Sequence, residues 1–84
     1  SAFTKRLVEV KDKLPMPKMQ EKYEKDNEFR TYINRFTRQF EEVYEQAYEN
    51  DHGELLTSLF ASSDIGALYG LLCDVSGRKK VIGV

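Results

Sequence analysis

Acidic side chains recur at helical spacing in the middle of the chain: Glu41, Glu45 and Glu49 are four residues apart, and Asp51 and His52 follow. Residues four apart share one face of an α-helix, and carboxylates on one face can ligate a divalent cation. The spacing from the next glycine to the next acid does not match an EF-hand loop, however. We therefore interpret the run as a solvated acidic face and expect no metal site.

Nucleophilic chemistry has little support in this sequence. The one histidine, His52, and the one cysteine, Cys73, are 21 residues apart on different predicted elements. A nucleophile and its base must lie within hydrogen-bond reach, which this separation does not favour. Phosphate-loop, zinc and dinucleotide motifs are also absent from the sequence. We expect no catalytic residue and no cofactor, and we interpret Cys73 as a buried small side chain.

Size and composition limit the protein class. The chain has 84 residues, which predicts a single helical domain over 1–84. One cysteine cannot form an internal disulfide, which fits a reducing compartment, so we expect a cytoplasmic protein. No apolar run approaches the roughly 20 residues of a membrane span, so we expect no membrane partner.

Charge is unevenly distributed along the chain. Residues 1–38 carry a net +4, residues 39–75 carry −8 with no lysine or arginine, and residues 76–84 carry +3. Opposite blocks predict attraction between the ends, within one chain or between chains; the alternative is that each block is simply a solvated face. The pI of about 5.8 makes nucleic-acid binding unlikely.

The N-terminal segment predicts a short helical arm over residues 1–14. Phe3, Leu7, Val10 and Leu14 are spaced by four, three and four residues and form one helix face. Pro15 and Pro17 then separate the arm from a helical body over 18–76. Because three isolated turns are marginal in water, the arm must dock on the body or on a partner.

The strongest pattern is a long amphipathic helix over about 28–50, which holds six of the ten aromatic residues. At about 100° per residue, one stripe contains Phe29, Ile33, Phe36, Phe40 and Val43, and we expect it to face the core. Tyrosines lie at its rims, where a hydroxyl can reach water: Tyr32, Tyr44 and Tyr48. The pattern leaves open whether 18–27 continues this helix or a cap at Asp26 or Asn27 interrupts it.

The charges within this helix are in an unusual order. Arg30, Arg35 and Arg38 lie in its first half, and the glutamates lie in its second half. The helix macrodipole favours the reverse arrangement. Such an inversion indicates a tertiary or functional contact, unless the small surface penalty is simply tolerated.

Two further helices are predicted after Gly53, which we expect to end the central helix. The segment ELLTSLF gives a short one, and Ser62, Ser63 or Asp64 can cap the next. That helix ends near Gly77, and its predicted apolar side contains Ile65, Leu68, Tyr69, Leu72 and Val75. The tail, 77–84, can be disordered, pack on the helices or add to another chain's edge. Alternatively, LLCDV and KVIGV form a hairpin across SGRK.

Gly66 and Gly70 are four residues apart on this last predicted helix. Small residues at that spacing let two helix backbones approach closely. Each glycine also costs about 1 kcal/mol of helix propensity. We interpret the pair either as a helix contact or as glycines that are simply tolerated.

Together these patterns predict an all-α fold, a compact bundle of three or four helices around the long central helix. The expected function is a non-enzymatic protein-interaction module that self-associates, with a homodimer as the simplest form. One alternative is a small inhibitor or immunity-type protein whose acidic face, 41–54, blocks a basic site. Another is a helical subdomain of a larger enzyme. The predicted interaction residues are Leu7, Val10, Leu14, Tyr44, Tyr48, Gly66, Gly70, Glu41, Glu45 and Glu49.

Overall fold

The part of the chain that the structure describes folds into four helices. The computed structural model describes Lys13 and residues 15–50 and 53–82. Across these residues it contains no strand, and the helices are α1 (Met16–Lys25), α2 (Asn27–Asn50), α3 (Gly53–Ala61) and α4 (Asp64–Ser76). The predicted all-α bundle with a long central helix is confirmed. The predicted arm, including Leu7, Val10 and Leu14, lies outside the described residues except for Lys13.

A break at Asp26 separates α1 from α2, which answers the question that the sequence left open. Asp26 is extended, and its Oδ1 accepts a hydrogen bond from the Phe29 N–H at 3.0 Å, as an N-cap does. The Arg30 guanidinium reaches back and donates to the backbone carbonyls of Tyr23 and Glu24 at the end of α1. These contacts cap both helix ends at the break. Residues 18–25 therefore belong to a separate helix, and the central helix begins at Asn27.

The core is aromatic and forms where α3 and α4 pack on α2. Phe40 stacks on Tyr69 with ring centroids 4.2 Å apart and meets the edge of Phe60 at 5.5 Å. Tyr44 meets Phe60 edge-on at 5.7 Å. Cys73 and Ile82 complete this buried cluster. The expectation that the two later helices pack on the aromatic face of α2 is confirmed.

The buried face of α2 is displaced around the helix from the predicted stripe. Val43, which was expected to face the core, is 58% exposed, whereas the predicted rim residue Tyr44 is only 8% exposed. Ile33 and Phe40 are buried, and Thr37 is fully buried because its Oγ1 donates to the Ile33 carbonyl at 2.9 Å. At about 100° per residue, the buried centre lies about 50° from the predicted one. Two smaller helices cover only part of a wide apolar arc, which is why Val43 stays exposed.

Two details of α3 and α4 also correct the sequence interpretation. Gly53 is the first residue of α3 and does not end α2, which extends to Asn50. Ile65, predicted on the apolar side of α4, is 46% exposed, while Leu71, which was not predicted there, is buried. Tyr69 and Val75 of the predicted side are buried, and Cys73 is buried as expected.

The ends of α4 agree with prediction. The Ser63 hydroxyl accepts from the Gly66 N–H at 2.9 Å, which makes Ser63 the N-cap. Gly77 has φ of +74°, the left-handed conformation that glycine adopts at least cost, and it ends the helix. The hairpin alternative is wrong because residues 71–75 belong to α4. Residues 77–82 of the tail pack on the helices instead, and Ile82 enters the core.

Candidate interaction surfaces

A polar clamp holds the tail against α2 and involves the predicted interaction residue Glu41. Arg78 donates from Nε and Nη2 to the two carboxylate oxygens of Glu41, at 2.7 Å each. Tyr69 also donates its hydroxyl proton to Glu41, at 2.7 Å, and accepts a hydrogen bond from the Val81 N–H at 3.1 Å. A two-pronged arginine pair of this kind is among the stronger surface interactions. The carboxylate of Glu41 is therefore engaged within the chain.

The clamp alters the acidity of its members. The hydrogen bond from Arg78 holds the pKa of the Glu41 carboxyl below its ordinary value of 4.5. Burial, with the bond to Glu41, raises the pKa of Tyr69. Burial also raises the pKa of the Cys73 thiol. Because a thiolate is the reactive form, the buried Cys73 thiol is poorly suited to act as a nucleophile.

The acidic segment and the basic tail thus attract each other within one chain, as the charge blocks suggested. A second ion pair joins Lys80 to Asp74 at 3.0 Å. This pair is more exposed than the clamp, so it contributes less. Of the negative charges in 39–75, Glu41 and Asp74 are consequently used to hold the tail.

The two glycines that were predicted to be interaction residues lie inside the molecule. Gly66 and Gly70 are both buried in α4. A Cβ on Gly66 would collide with the Phe60 backbone carbonyl oxygen. Gly66 therefore permits the close turn from α3 into α4, a contact within the chain that the sequence could not distinguish from a contact between chains.

Four predicted interaction residues lie together in one groove, which we call the acidic groove. It is lined by Tyr44, Glu45, Tyr48, Glu49 and Val81, has a volume of about 510 Å³ and opens on the surface. Glu45, Glu49 and Tyr48 are exposed, and the Tyr44 and Tyr48 rings are 6.0 Å apart. Aromatic faces beside carboxylates suit a cationic side chain. The rest of the predicted acidic face, after Glu49, lies outside the described side chains.

A second surface runs along α2 on the side away from Tyr44. We call it the α2 strip and define it as Phe29, Tyr32, Phe36, Gln39 and Val43, none of which carries a charge. Tyr32 is 74% exposed and Val43 is 58% exposed, while Phe29 and Phe36 are half-buried. Contiguous apolar residues that the described helices leave uncovered are typical of interaction sites.

The first half of the α2 strip borders a groove of about 460 Å³. Its apolar lining comes from Phe29, Tyr32, Ile33 and Phe36 of α2 and from Leu72 of α4. Charged side chains stand at one end, where the Lys22 ammonium lies 5.2 Å from the centre of the Phe29 ring. The strip therefore has a concave first half and, at Val43, a projecting second half.

No known protein family, curated protein or solved structure matches this chain. Function must therefore be argued from the surfaces themselves. The described residues contain no helix long and apolar enough to cross a membrane. They also contain no group of three or more histidine, cysteine or acidic side chains arranged to hold a metal ion.

The sequence interpretation missed the α2 strip because it assigned the whole apolar arc of the helix to the core. A signal was nevertheless present. The arc from Tyr32 to Tyr44 spans about 120° on the helix, which is wide for a face that two short helices must cover. Gln39 lies just outside that arc, next to its Tyr32 edge, and an uncharged polar residue there is compatible with a face that meets both water and a partner.

Proposed function

We propose that this protein is a non-enzymatic protein-interaction module that self-associates through the α2 strip. The observation that carries the proposal is the exposure of Tyr32 and Val43 beside an apolar groove on the same helix. Removing one large apolar side chain from water contributes roughly 1.5–3 kcal/mol. Two copies of the strip would provide several such side chains, which supports a reversible association.

The proposal differs from the predicted contact in its location. The predicted set combined the arm, the glycines of α4, the acidic face and the rim tyrosines. Gly66 and Gly70 are buried and Glu41 is held by Arg78, so these groups have roles within the chain. In the α2 strip, by contrast, Tyr32 and Val43 are exposed and no residue carries a charge.

Sedimentation equilibrium from about 10 µM to about 500 µM tests self-association, a range that brackets weak dimers. We expect the wild-type protein to dimerise with rising concentration and Val43→Glu to remain monomeric with an unchanged helical circular dichroism spectrum. Leu55→Glu is the matched control, since Leu55 of α3 is also 58% exposed. A wild-type monomer throughout, or dissociation by Leu55→Glu alone, would overturn the proposal.

The acidic groove supports a second candidate, an inhibitor that covers a basic site on another protein. Glu45 and Glu49 are exposed and stand beside the Tyr48 ring. Binding to an oligolysine peptide, followed by calorimetry, should weaken steeply as salt rises from about 0.05 M to about 0.5 M. The double variant Glu45→Gln/Glu49→Gln is expected to lose binding to the peptide. An affinity that changes neither with salt nor with these substitutions would contradict this candidate.

The proposed location is the cytoplasm. Cys73 is a free and buried thiol. A chain of this size in an oxidising compartment would more commonly be cross-linked by disulfides. Fractionation of the native host, followed by immunoblotting, tests the location directly.

A further inference from the structure

The spacing of the α2 strip is that of a helix–helix seam. Phe29, Tyr32, Phe36, Gln39 and Val43 are separated by three, four, three and four residues. This alternation matches the a and d positions of a heptad, the positions that face a partner helix in a coiled coil. The strip is short and has a glutamine near its centre, which is compatible with a weak and reversible pairing.

The two edges of this seam differ. The edge that contains Ile33 and Phe40 is buried against the chain's own core. The opposite edge is exposed along its whole length and carries four charges: Glu28, Arg35, Glu42 and Glu49. Only this charged edge is open to a second helix, so its charges select the orientation of the partner.

Orientation follows from elementary geometry. In a parallel pair the charged edge of one helix would face the edge of its partner that contains Ile33 and Phe40. That edge is buried against the chain's own core. In an antiparallel pair each charged edge faces its own copy. Arg35 of one copy then lies opposite Glu42 of the other, and the symmetry of the pair repeats the contact. Neither Arg35 nor Glu42 has a hydrogen-bonding or ionic partner among the described side chains.

Shape supports the same arrangement. When Arg35 is set opposite Glu42, Tyr32 of one copy faces Val43 of the other. The projecting Val43 then enters the apolar groove that Tyr32 and Leu72 line. A surface that carries a projection at one end and a groove at the other is self-complementary under a two-fold axis.

We infer that two copies of this chain pair through antiparallel α2 strips, with Arg35 of each copy bound to Glu42 of the other and Val43 in the opposite groove. The inference deepens the proposed self-association and rests on it. It also accounts for the inverted charge order of α2, because an antiparallel partner sets its acidic half beside the basic half. Arg30 and Glu41 are used within the chain, which leaves Arg35 and Glu42 for this contact.

Charge reversal with complementation tests this geometry. Arg35→Glu and Glu42→Arg are each expected to weaken the dimer about tenfold, since each makes two contacts repulsive. An equimolar mixture of the two variants should recover the wild-type dissociation constant. In the mixed dimer one contact is the wild-type pair, and the other joins the two substituted side chains, whose charges are exchanged and again opposite. Sedimentation equilibrium gives the constants, and native mass spectrometry identifies the mixed dimer.

Arg38→Glu and Glu45→Arg are the matched controls. They change the net charge by the same amounts, and both residues are exposed and lie off the seam. We expect neither control to weaken the dimer, and their mixture should gain nothing. If the reversals at Arg35 and Glu42 do not weaken the dimer, or if their mixture does not recover the wild-type dissociation constant, the antiparallel geometry is wrong. Either result leaves the proposed self-association in place. A wild-type monomer overturns both.

Discussion

Two sides of α2 are similarly apolar, but one is buried within the chain and the other is exposed. On one side, Phe40 and Tyr44 lie under the rings of Phe60 and Tyr69. On the other side, Tyr32 and Val43 are exposed. Apolar periodicity therefore identifies a face that must be buried, while the neighbouring elements decide how much of it is buried within the chain.

Polar contacts, as well as aromatic rings, hold the neighbouring segments against the buried side of α2. Glu41 binds Arg78 and Tyr69, and Tyr69 in turn holds the backbone of the tail at Val81. No buried side-chain nitrogen or oxygen among the described residues lacks a hydrogen-bond partner. A face completed in this way belongs to the folded monomer, whereas the other described residues leave Tyr32 and Val43 of the α2 strip exposed.

The largest effect expected from this comparison is on the free energy of unfolding. Phe40→Ala should lower it by about 3–5 kcal/mol because a cavity replaces a stacked ring. Tyr32→Ala should change it by no more than about 0.5 kcal/mol because Tyr32 is on the surface. Urea unfolding, at a protein concentration too low for dimers to form, measures both free energies of unfolding. Equal losses in the two variants would contradict the distinction between the two sides.

Gly66→Ala is expected to cost about 1–3 kcal/mol in spite of alanine's higher helix propensity, because its methyl group would meet the Phe60 carbonyl. Thermal unfolding followed by circular dichroism measures the loss. Arg38→Ala, an alanine substitution at an exposed site of α2, is the control and should stay within about 0.5 kcal/mol. A stabilised Gly66→Ala protein would show that α3 and α4 do not approach as described.

The local capping signals were predictable from sequence, and the faces were not. Asp26, Ser63 and Gly77 act within four residues of their own positions, so residue type alone indicates them. The contact between Glu41 and Arg78 joins residues 37 positions apart. Charge blocks indicated attraction between those regions but could not select the pair.

The displacement of the buried face of α2 from the predicted stripe also depends on contacts between elements. Thr37 is polar and was not among the residues predicted to face the core, yet its hydroxyl donates to the Ile33 carbonyl one turn earlier and can be buried without loss. Val43 looked suited to the core and is left outside because α3 and α4 lie towards Tyr44. A side chain's own polarity does not contain this information.

Arg78→Gln sharpens the account of the covered side through its pH dependence. Arg78 lowers the pKa of Glu41 in the folded protein, so this stabilisation is present above pH 4.5 and is lost as pH falls through the folded pKa. We expect the variant to lose about 1 kcal/mol at neutral pH, a modest value because the Arg78 side chain is 38% exposed. The unfolding free energies of the two proteins should converge in acid, and a constant difference would contradict the clamp.

The smallest expected effect is on the exposed side. The antiparallel pairing places Glu28 of one copy opposite Glu49 of the other, a like-charge contact at each end. Glu49→Lys should therefore tighten the dimer about threefold. Glu45→Lys, with the same change of charge away from the seam, is the control. Sedimentation that finds a weaker dimer in Glu49→Lys than in the control would count against the proposed alignment.

The central claim, that the α2 strip is the self-association surface, is tested most directly by concentration-dependent amide chemical shifts. Spectra of the ¹⁵N-labelled protein are compared between about 20 µM and about 1 mM. The account predicts shifts concentrated at Tyr32, Arg35, Gln39, Glu42 and Val43. Shifts confined to other exposed apolar residues, such as Leu59 and Ile65, or spectra that do not change at all, would contradict it.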